Sequence, residues 1–257
     1  MDINDFLEIG EIQSKTKNFK RKYENAVAVA EQQLQLHKYP YVALSGGKDS
    51  IAMAYIVNVA AERANKDFRF WTHLSDASFP GTRETVLEVS KKLKREIDIY
   101  DSPVSAFEMI QTKQKTIFGK QGCFYSSIRQ YAKDKDLAFV GVRAAESRRR
   151  TRAAKIHGMC FHSESMGNVD TCYPLLYFRL EDVAAVMYMH NTPIHPIYKK
   201  MCINENRNCN DEAIWIRLNY VTSRDLLNKG TAVFLKLNYT DIIEKLKQYY
   251  PEIAAYV

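Results

Sequence analysis

The chain has 257 residues, 46% apolar and 26% charged, a globular composition far from the disordered or fibrous extremes. Its longest apolar stretch, Ile51 to Ala61, is broken by Asn58 and falls short of the ~20 residues that a spanning helix needs. The opening residues MDINDFLEIG are acidic where a secretion signal is basic and then apolar, so a cytoplasmic protein without membrane partners is expected.

Lysine and arginine number 37 against 30 aspartates and glutamates, a net charge of +7, and the basic residues are clustered. Lys15, Lys17, Lys20, Arg21 and Lys22 form one group, and Lys91, Lys92, Lys94 and Arg95 a second; both read as solvated helix faces. The densest group is Arg143 followed by Arg148, Arg149, Arg150 and Arg152. It suits an anionic ligand: a nucleotide, a sulfate ester or a nucleic acid. The five cysteines, Cys123, Cys160, Cys172, Cys202 and Cys209, are odd in number and contain no C-x-x-C, which favours reduced thiols.

In chain order, residues 14–38 read as a helix with Ser14 as its N-cap and Tyr39-Pro40 as its stop. A short apolar strand at 41–44 runs through a glycine-containing turn into an apolar helix over 50–64. A second strand follows at 68–74, a helix at 82–95 and a third strand at 97–100. Helical regions near 104–116 and 123–134 lead to a fourth strand at 137–142, and Tyr173 to Phe178 reads as a fifth. A helix over 180–190 ends at Asn191-Thr192-Pro193. In the tail, one short helix starts at Thr222 and ends at Gly230, and another is capped by Thr240 before Pro251. Strands alternating with helices predict an α/β fold: a mostly parallel five-stranded sheet covered on both faces. Such sheets bind ligands outside the carboxyl ends of their strands, where the strand order reverses.

The turn after the first strand is Ser45-Gly46-Gly47-Lys48-Asp49-Ser50. Adjacent glycines let the backbone approach an anion without a Cβ in the way. The following helix start then presents free N–H groups and the positive end of its dipole. Ser45 and Ser50 can add hydroxyls and Lys48 a charge. Asp49 makes sense beside phosphates mainly with a bridging cation such as Mg²⁺. The loop is not a Walker A site, having Val42 and Asp49 where that motif requires Gly and Ser or Thr. A plain strand–helix turn with a polar cap is the bland alternative.

The SGGKDS loop resembles the pyrophosphate loop of the PP-loop, or adenine nucleotide α-hydrolase-like, superfamily. Further segments resemble its phosphoadenylyl-sulfate (PAPS) reductase-like family. Ser75-Asp76-Ala77-Ser78-Phe79-Pro80-Gly81-Thr82-Arg83-Glu84 is similar to that family's D-T-G-x-x-F-P-E-T segment. Gly141-Val142-Arg143-Ala144-Ala145-Glu146-Ser147-Arg148-Arg149-Arg150 is similar to G-x-R-x-x-E-S-x-x-R. Tyr173-Pro174-Leu175-Leu176 with Glu181-Asp182-Val183 resembles P-L-x-x-W-t-x-x-D-V, and His195-Pro196-Ile197-Tyr198 resembles N-P-L-Y. The resemblance implies the strand order 3-2-1-4-5, with the SGGKDS loop facing the arginine segment across a nucleotide crevice. It divides the chain into a helical N-terminal extension (1–39), a nucleotide-binding domain (40–202) and a helical C-terminal extension (203–257). The implied nucleotide-binding residues are Ser45, Gly46, Gly47, Lys48, Asp49, Ser50, Asp76, Arg143, Glu146, Ser147, Arg148 and Arg150. Lys48, Asp49 and Arg143 are the expected catalytic residues, with Asp49 holding Mg²⁺. Asp76 could instead cap the helix after it, and the arginines could form a solvated loop.

Two departures shape the expected chemistry. PAPS reductases resemble one another in a degenerate phosphate loop, whereas this loop is complete, as in relatives that cleave ATP between the α- and β-phosphates. Those reductases also use a cysteine in an E-C-G-x-H tail segment, and residues 210–257 contain no cysteine. The expected reaction is therefore ATP cleavage to AMP and pyrophosphate, activating an acceptor for sulfur or nitrogen transfer. The alternatives are reduction of PAPS or adenylyl sulfate by Cys123, Cys202 or Cys209, and a nucleotide- or nucleic-acid-binding accessory subunit. Iron–sulfur relatives gather four cysteines from such loops, and Cys123, Cys160, Cys202 and Cys209 could do so. Their spacings of 37, 42 and 7 match no tight ligand pattern, and small buried hydrophobes are the alternative. Arg129, after Cys123, stands where relatives carry a basic substrate-binding residue. Expected partners are the nucleotide, a sulfur-donor protein or thioredoxin, and a second copy of the chain, with nucleic acid left open by the arginines.

Overall fold

The computed structural model describes residues 2–106, 124–200 and 231–255. Six strands, β1 (Pro40–Ala43), β2 (Arg69–Leu74), β3 (Ile97–Asp101), β4 (Leu137–Val140), β5 (Cys160–Ser163) and β6 (Val169–Cys172), form one sheet in the order β3-β2-β1-β4-β6-β5. All neighbours are parallel except β5 and β6. The described α-helices are α1 (Ile3–Ser14), α2 (Lys17–Leu36), α3 (Lys48–Ala64), α4 (Thr82–Leu93), α5 (Phe124–Tyr131), α6 (Arg148–His157), α7 (Leu180–Met189), α8 (Thr231–Asn238) and α9 (Thr240–Tyr249).

Strand alternation sorts the core onto two faces. Val42, Phe70, Leu137 and Phe139 pack with α2, α3 and α7, while Tyr41, Trp71 and Ala138 pack against Ile128 of α5. Helices therefore cover both faces of the sheet, as expected. The strand order also matches over the parallel strands, with β6 in the fifth place and β5 as an additional antiparallel edge.

The fifth strand itself lies elsewhere. Residues 173–178 form turns, with Leu176 N–H donating to the Tyr173 carbonyl and Phe178 N–H to that of Leu175. Leu175, Leu176 and Phe178 are buried, which gives this segment its strand-like apolarity, but Pro174 has no N–H for a ladder. The strands are formed by the preceding hairpin, whose turn carries Gly167 and Asn168 at positive φ (97° and 62°).

The N-terminal region is two helices rather than one over 14–38. Asp2 caps α1 through the N–H groups of Asn4 and Asp5. The Ser14 hydroxyl donates to the Glu11 carbonyl inside α1 (2.6 Å), so it cannot start the next helix; Thr16 does, accepting from Phe19 N–H (3.2 Å). Gly10 allows α1 to cross α7 closely, because a Cβ there would lie 2.4 Å from the Ala184 carbonyl oxygen. Asp182 of α7, fully buried, accepts from Gln13 (2.7 Å), Lys22 (2.5 Å) and the Arg179 N–H (2.8 Å). This carboxylate, part of the Glu181-Asp182-Val183 segment, ties both N-terminal helices to α7.

In the tail, Phe234 and Leu235 of α8 and Ile243 and Leu246 of α9 join the main core. Thr240 is the first residue of α9, with Tyr239 in the cap position. The helix expected between Thr222 and Gly230, and the part of the expected 104–116 helix beyond residue 106, lie outside the described residues.

Candidate functional site

Because β1, β2 and β4 are parallel neighbours, the segments that leave their carboxyl ends share one edge of the sheet. Ser45 follows β1, Asp76 follows β2 and Arg143 follows β4. The order reverses between β1 and β4, so this edge is the switch point where ligands of such sheets sit.

The SGGKDS loop is stapled from within. The Ser50 hydroxyl accepts from the N–H (3.2 Å) and hydroxyl (3.0 Å) of Ser45 and donates to the Gly47 carbonyl (2.9 Å). Ser50 is thus committed inside the loop rather than to a ligand, whereas Ser45 is exposed. Gly46 takes φ 76°, the left-handed conformation that favours glycine. Helix α3 opens at Lys48, whose N–H donates to the Tyr198 hydroxyl (3.0 Å). The first N–H groups of a helix have no acceptor further back in it, and Tyr198 takes up one of them.

Asp49 joins this loop to the arginine segment. One carboxylate oxygen accepts from Lys48 Nζ (2.6 Å) and the other from Arg143 Nε (2.5 Å). Burial pushes the Asp49 carboxyl up, but Lys48 and Arg143 outweigh it and hold it at about 2. Two cations thus converge on one carboxylate at the start of α3, where the helix dipole also favours an anion. The two segments are in direct contact rather than facing each other across open space. Arg143 is 1% exposed, and a Cβ on Gly141 would lie 2.9 Å from the Asp49 carbonyl oxygen and from the Ser50 backbone.

Beyond Arg143 the segment splits in two. Glu146 accepts from the Arg143 N–H (3.2 Å) and pairs with Arg150, and the Ser147 hydroxyl caps α6 through Arg150 N–H (3.2 Å). Arg148, Arg149 and Arg152 are exposed on α6, and Ala154 is that helix's one buried residue. Asp76 does not cap α4, whose cap is Gly81. It accepts instead from the Ser105 hydroxyl (2.5 Å) and the Ala106 N–H (2.8 Å) after β3, and from Lys245 of α9 (3.4 Å).

A second layer supports the loop from below. His195 is fully buried; its Nδ1 accepts from Ile197 N–H (3.1 Å), which places the proton on Nε2 for the Thr82 hydroxyl (3.0 Å). Thr82 passes its own proton to the Phe79 carbonyl (2.7 Å). Burial lowers the imidazole to about 4, so it stays neutral near pH 7. A Cβ on Gly46 would touch Thr82 and His195, and one on Gly81 would meet the Pro196 ring at 2.9 Å. Sequence reasoning singled out the segment His195 to Tyr198 but gave neither of these side chains a task; their burial and hydrogen bonds supply one.

For Mg²⁺, both Asp49 oxygens already face cations, a setting that opposes a third positive charge. Among the described residues, no group of three or more His, Cys, Asp or Glu could hold a metal ion. Cys123, Cys202 and Cys209 lie outside the described residues. Cys160 lies beside Cys172, their sulfurs 3.3 Å apart, a pairing absent from the expected cluster set. Arg129 is exposed on α5.

A family model described as the phosphoadenosine phosphosulfate reductase domain matches residues 39–222. No curated protein sequence matches the chain. Among solved structures, the U34-tRNA thiolase NcsA of Methanococcus maripaludis, with its 4Fe–4S cluster, aligns at TM-score 0.54 and 13% identity over 93% of this chain and 81% of that one. FMN adenylyltransferase of Candida glabrata, in complex with FAD and inorganic pyrophosphate, aligns at TM-score 0.56 and 11% identity over 80% and 72%. PAPS reductase of Candida auris, in a phosphate complex, aligns at TM-score 0.50 and 12% identity over 74% and 95%. At these identities the likeness establishes the fold. No described helix is long and apolar enough to cross a membrane.

Proposed function

Because the chain belongs to the phosphoadenosine phosphosulfate reductase domain family, a family of nucleotide-handling PP-loop enzymes, we propose that it binds ATP at the SGGKDS edge and cleaves it between the α- and β-phosphates. The observation that carries this reading is the complete loop, locked through Asp49 to a buried Arg143 at the switch point. An acceptor oxygen attacks the α-phosphorus, the bond to the bridging oxygen breaks, and pyrophosphate leaves. A sulfur or nitrogen donor then displaces AMP from the activated acceptor.

The residues act by position and charge. Loop amides and the α3 dipole receive the leaving pyrophosphate. Lys48 turns from Asp49 toward its oxygens, and Arg143 keeps Asp49 and the helix start in register. No protein nucleophile is required for the first step. The Mg²⁺ that accompanies a nucleoside triphosphate would be held by the phosphate oxygens themselves, and no step depends on Asp49 as its ligand. A sulfur-donor protein would serve the second step.

The second reading, reduction of PAPS with thioredoxin, is favoured by the family match itself. Its nucleophile would be Cys123, Cys202 or Cys209. Incubation with ATP or PAPS, in the presence of Mg²⁺ and reduced thioredoxin, separates the two. Pyrophosphate and AMP from ATP are the expected products. Sulfite and adenosine 3′,5′-bisphosphate from PAPS, with no pyrophosphate from ATP in the presence of sulfur acceptors, would replace the first reading by the second.

A further inference from the structure

We propose that Cys160 and Cys172 form a redox-active dithiol, which a two-electron oxidant of the hydroperoxide or low-molecular-weight disulfide class converts to a cross-strand disulfide. The hairpin register sets the two residues directly opposite each other on β5 and β6. The adjacent pair is hydrogen-bonded, with Tyr173 N–H donating to the Met159 carbonyl (2.8 Å), so the cysteines occupy a non-hydrogen-bonded pair. There the Cα atoms of antiparallel strands approach to ~4.5 Å, within the ~4.4–6.8 Å that a disulfide spans. The sulfurs already touch at 3.3 Å.

The two thiols differ in access and in acidity. Cys160 is half-buried on the edge strand, and Cys172 is fully buried on β6. The hydrogen bond between the two sulfurs lowers the Cys160 thiol; burial opposes this and the nearby His37 adds to it. The same hydrogen bond, with burial, raises Cys172 well above its ordinary value. Cys160 is thus the attacking sulfur and Cys172 the resolving one. With a hydroperoxide, the Cys160 thiolate forms an S–O bond as the O–O bond breaks, and an alcohol (or water) leaves. Cys172 then attacks the sulfenic sulfur, the S–S bond forms and water leaves. Two thiols lose two electrons in total, and the hydroperoxide gains them. With a small disulfide, two exchange steps release two thiols instead.

The pair lies close to the proposed nucleotide site without being part of it. Cys172 is the Cα partner of Phe139 on β4, at the site-facing end of β6. The turn that follows it accepts the Ala144 N–H on the Leu176 carbonyl (2.8 Å), next to Arg143. The proposal does not rest on the nucleotide reading.

The test uses the full chain, fully reduced and then exposed to oxidised glutathione or hydrogen peroxide. Titratable thiols should fall from five to three, and peptide mass spectrometry should find residues 160 and 172 linked, reversibly with dithiothreitol. The Cys172→Ser variant should hold a dimedone-trapped sulfenic acid or a glutathione adduct at Cys160. The Cys160→Ser variant should leave Cys172 unmodified. Glutathione or higher oxides accumulating on Cys160 of the parent chain, or linkage to Cys123, Cys202 or Cys209 instead, would overturn the proposal. The measurement on the parent chain decides the matter even if either serine variant does not fold.

Discussion

Asp49 and His195 give the site edge two opposite kinds of polar residue, one charged and half-buried, the other neutral and fully buried. Asp49 is held ionised by Lys48 and Arg143. Removing it takes the Asp49 carboxylate away from the Arg143 guanidinium, which is 1% exposed, and breaking a buried pair in this way costs about 3 kcal/mol. Lys48→Ala removes a partly exposed cation and leaves the Asp49–Arg143 pair in place. Urea unfolding should therefore show Asp49→Ala clearly less stable than Lys48→Ala, while both weaken ATP binding in calorimetric titration. Equal stability of the two variants would mean that Asp49 does not anchor Arg143. His195 behaves in the other sense. Its folded value of about 4 lies below the ordinary 6.5, so the unfolded chain binds the extra proton between those values. Its contribution is complete above pH 6.5 and is lost as the pH falls toward 4, by about 3 kcal/mol at most. The unfolding free energy of the parent should decline over that window, and His195→Gln, which keeps a donor toward Thr82 but does not titrate, should flatten the decline. A slope unchanged by the substitution would assign it to other groups.

At the scale of elements, the contact between β4 and α3 depends on Gly141. A methyl group there meets backbone atoms of Asp49 and Ser50 at 2.9 Å, none of which can rotate aside. Gly141→Ala should cost about 1–3 kcal/mol, the usual range for overpacking, and should weaken ATP binding by displacing the start of α3. A variant as stable and as competent in binding as the parent would show that the two segments separate freely. The sequence made the loop and its neighbour legible, since glycines beside Lys48 and before Arg143 stand where parallel strands end. It hid the close contact, because residues 46–50 and 141–143 are joined only by the sheet order. The hairpin β5–β6 was missed for a different reason. Its residues 160–172 mix polar and apolar types, and their turn, Gly167-Asn168, is a hairpin signal outweighed by the apolar run just after it. The first N-terminal helix, α1, was missed and α2 was started too early, because Ser14 and Thr16 are both good caps by type. Only the Ser14 bond back to Glu11 decides between them.

Across the whole molecule, the positive charge is divided between a buried part and an exposed part, and the two predict different ligands. Arg143 is sequestered against Asp49 at the switch point, whereas Arg148, Arg149 and Arg152 lie open on α6. Three arginines begin that helix, where the dipole disfavours cations; Glu146, just before it, pairs with Arg150, and no acidic residue stands in the first turn itself. A nucleotide held at the SGGKDS edge should depend on Arg143. Arg143→Gln removes the charge-assisted hydrogen bond that holds Asp49 and the start of α3 in register, and should weaken ATP binding by up to about 1.5–3 kcal/mol, the range for such bonds, at both low and moderate salt. Arg148→Ala and Arg149→Ala should change that affinity far less. If the acceptor is a polynucleotide, those exposed arginines are the ones that would meet its backbone. Each replacement should then weaken binding of a short oligonucleotide similarly across sequences and reduce the log–log salt slope by about one. Titrating ATP and the oligonucleotide against the parent and the three variants at two salt concentrations resolves the division. Loss of ATP binding in Arg148→Ala equal to that in Arg143→Gln would place the phosphates on α6 rather than at the loop. An oligonucleotide affinity untouched by both surface variants would leave α6 as a solvated basic helix and the nucleotide as the anion for which the net charge of +7 is arranged.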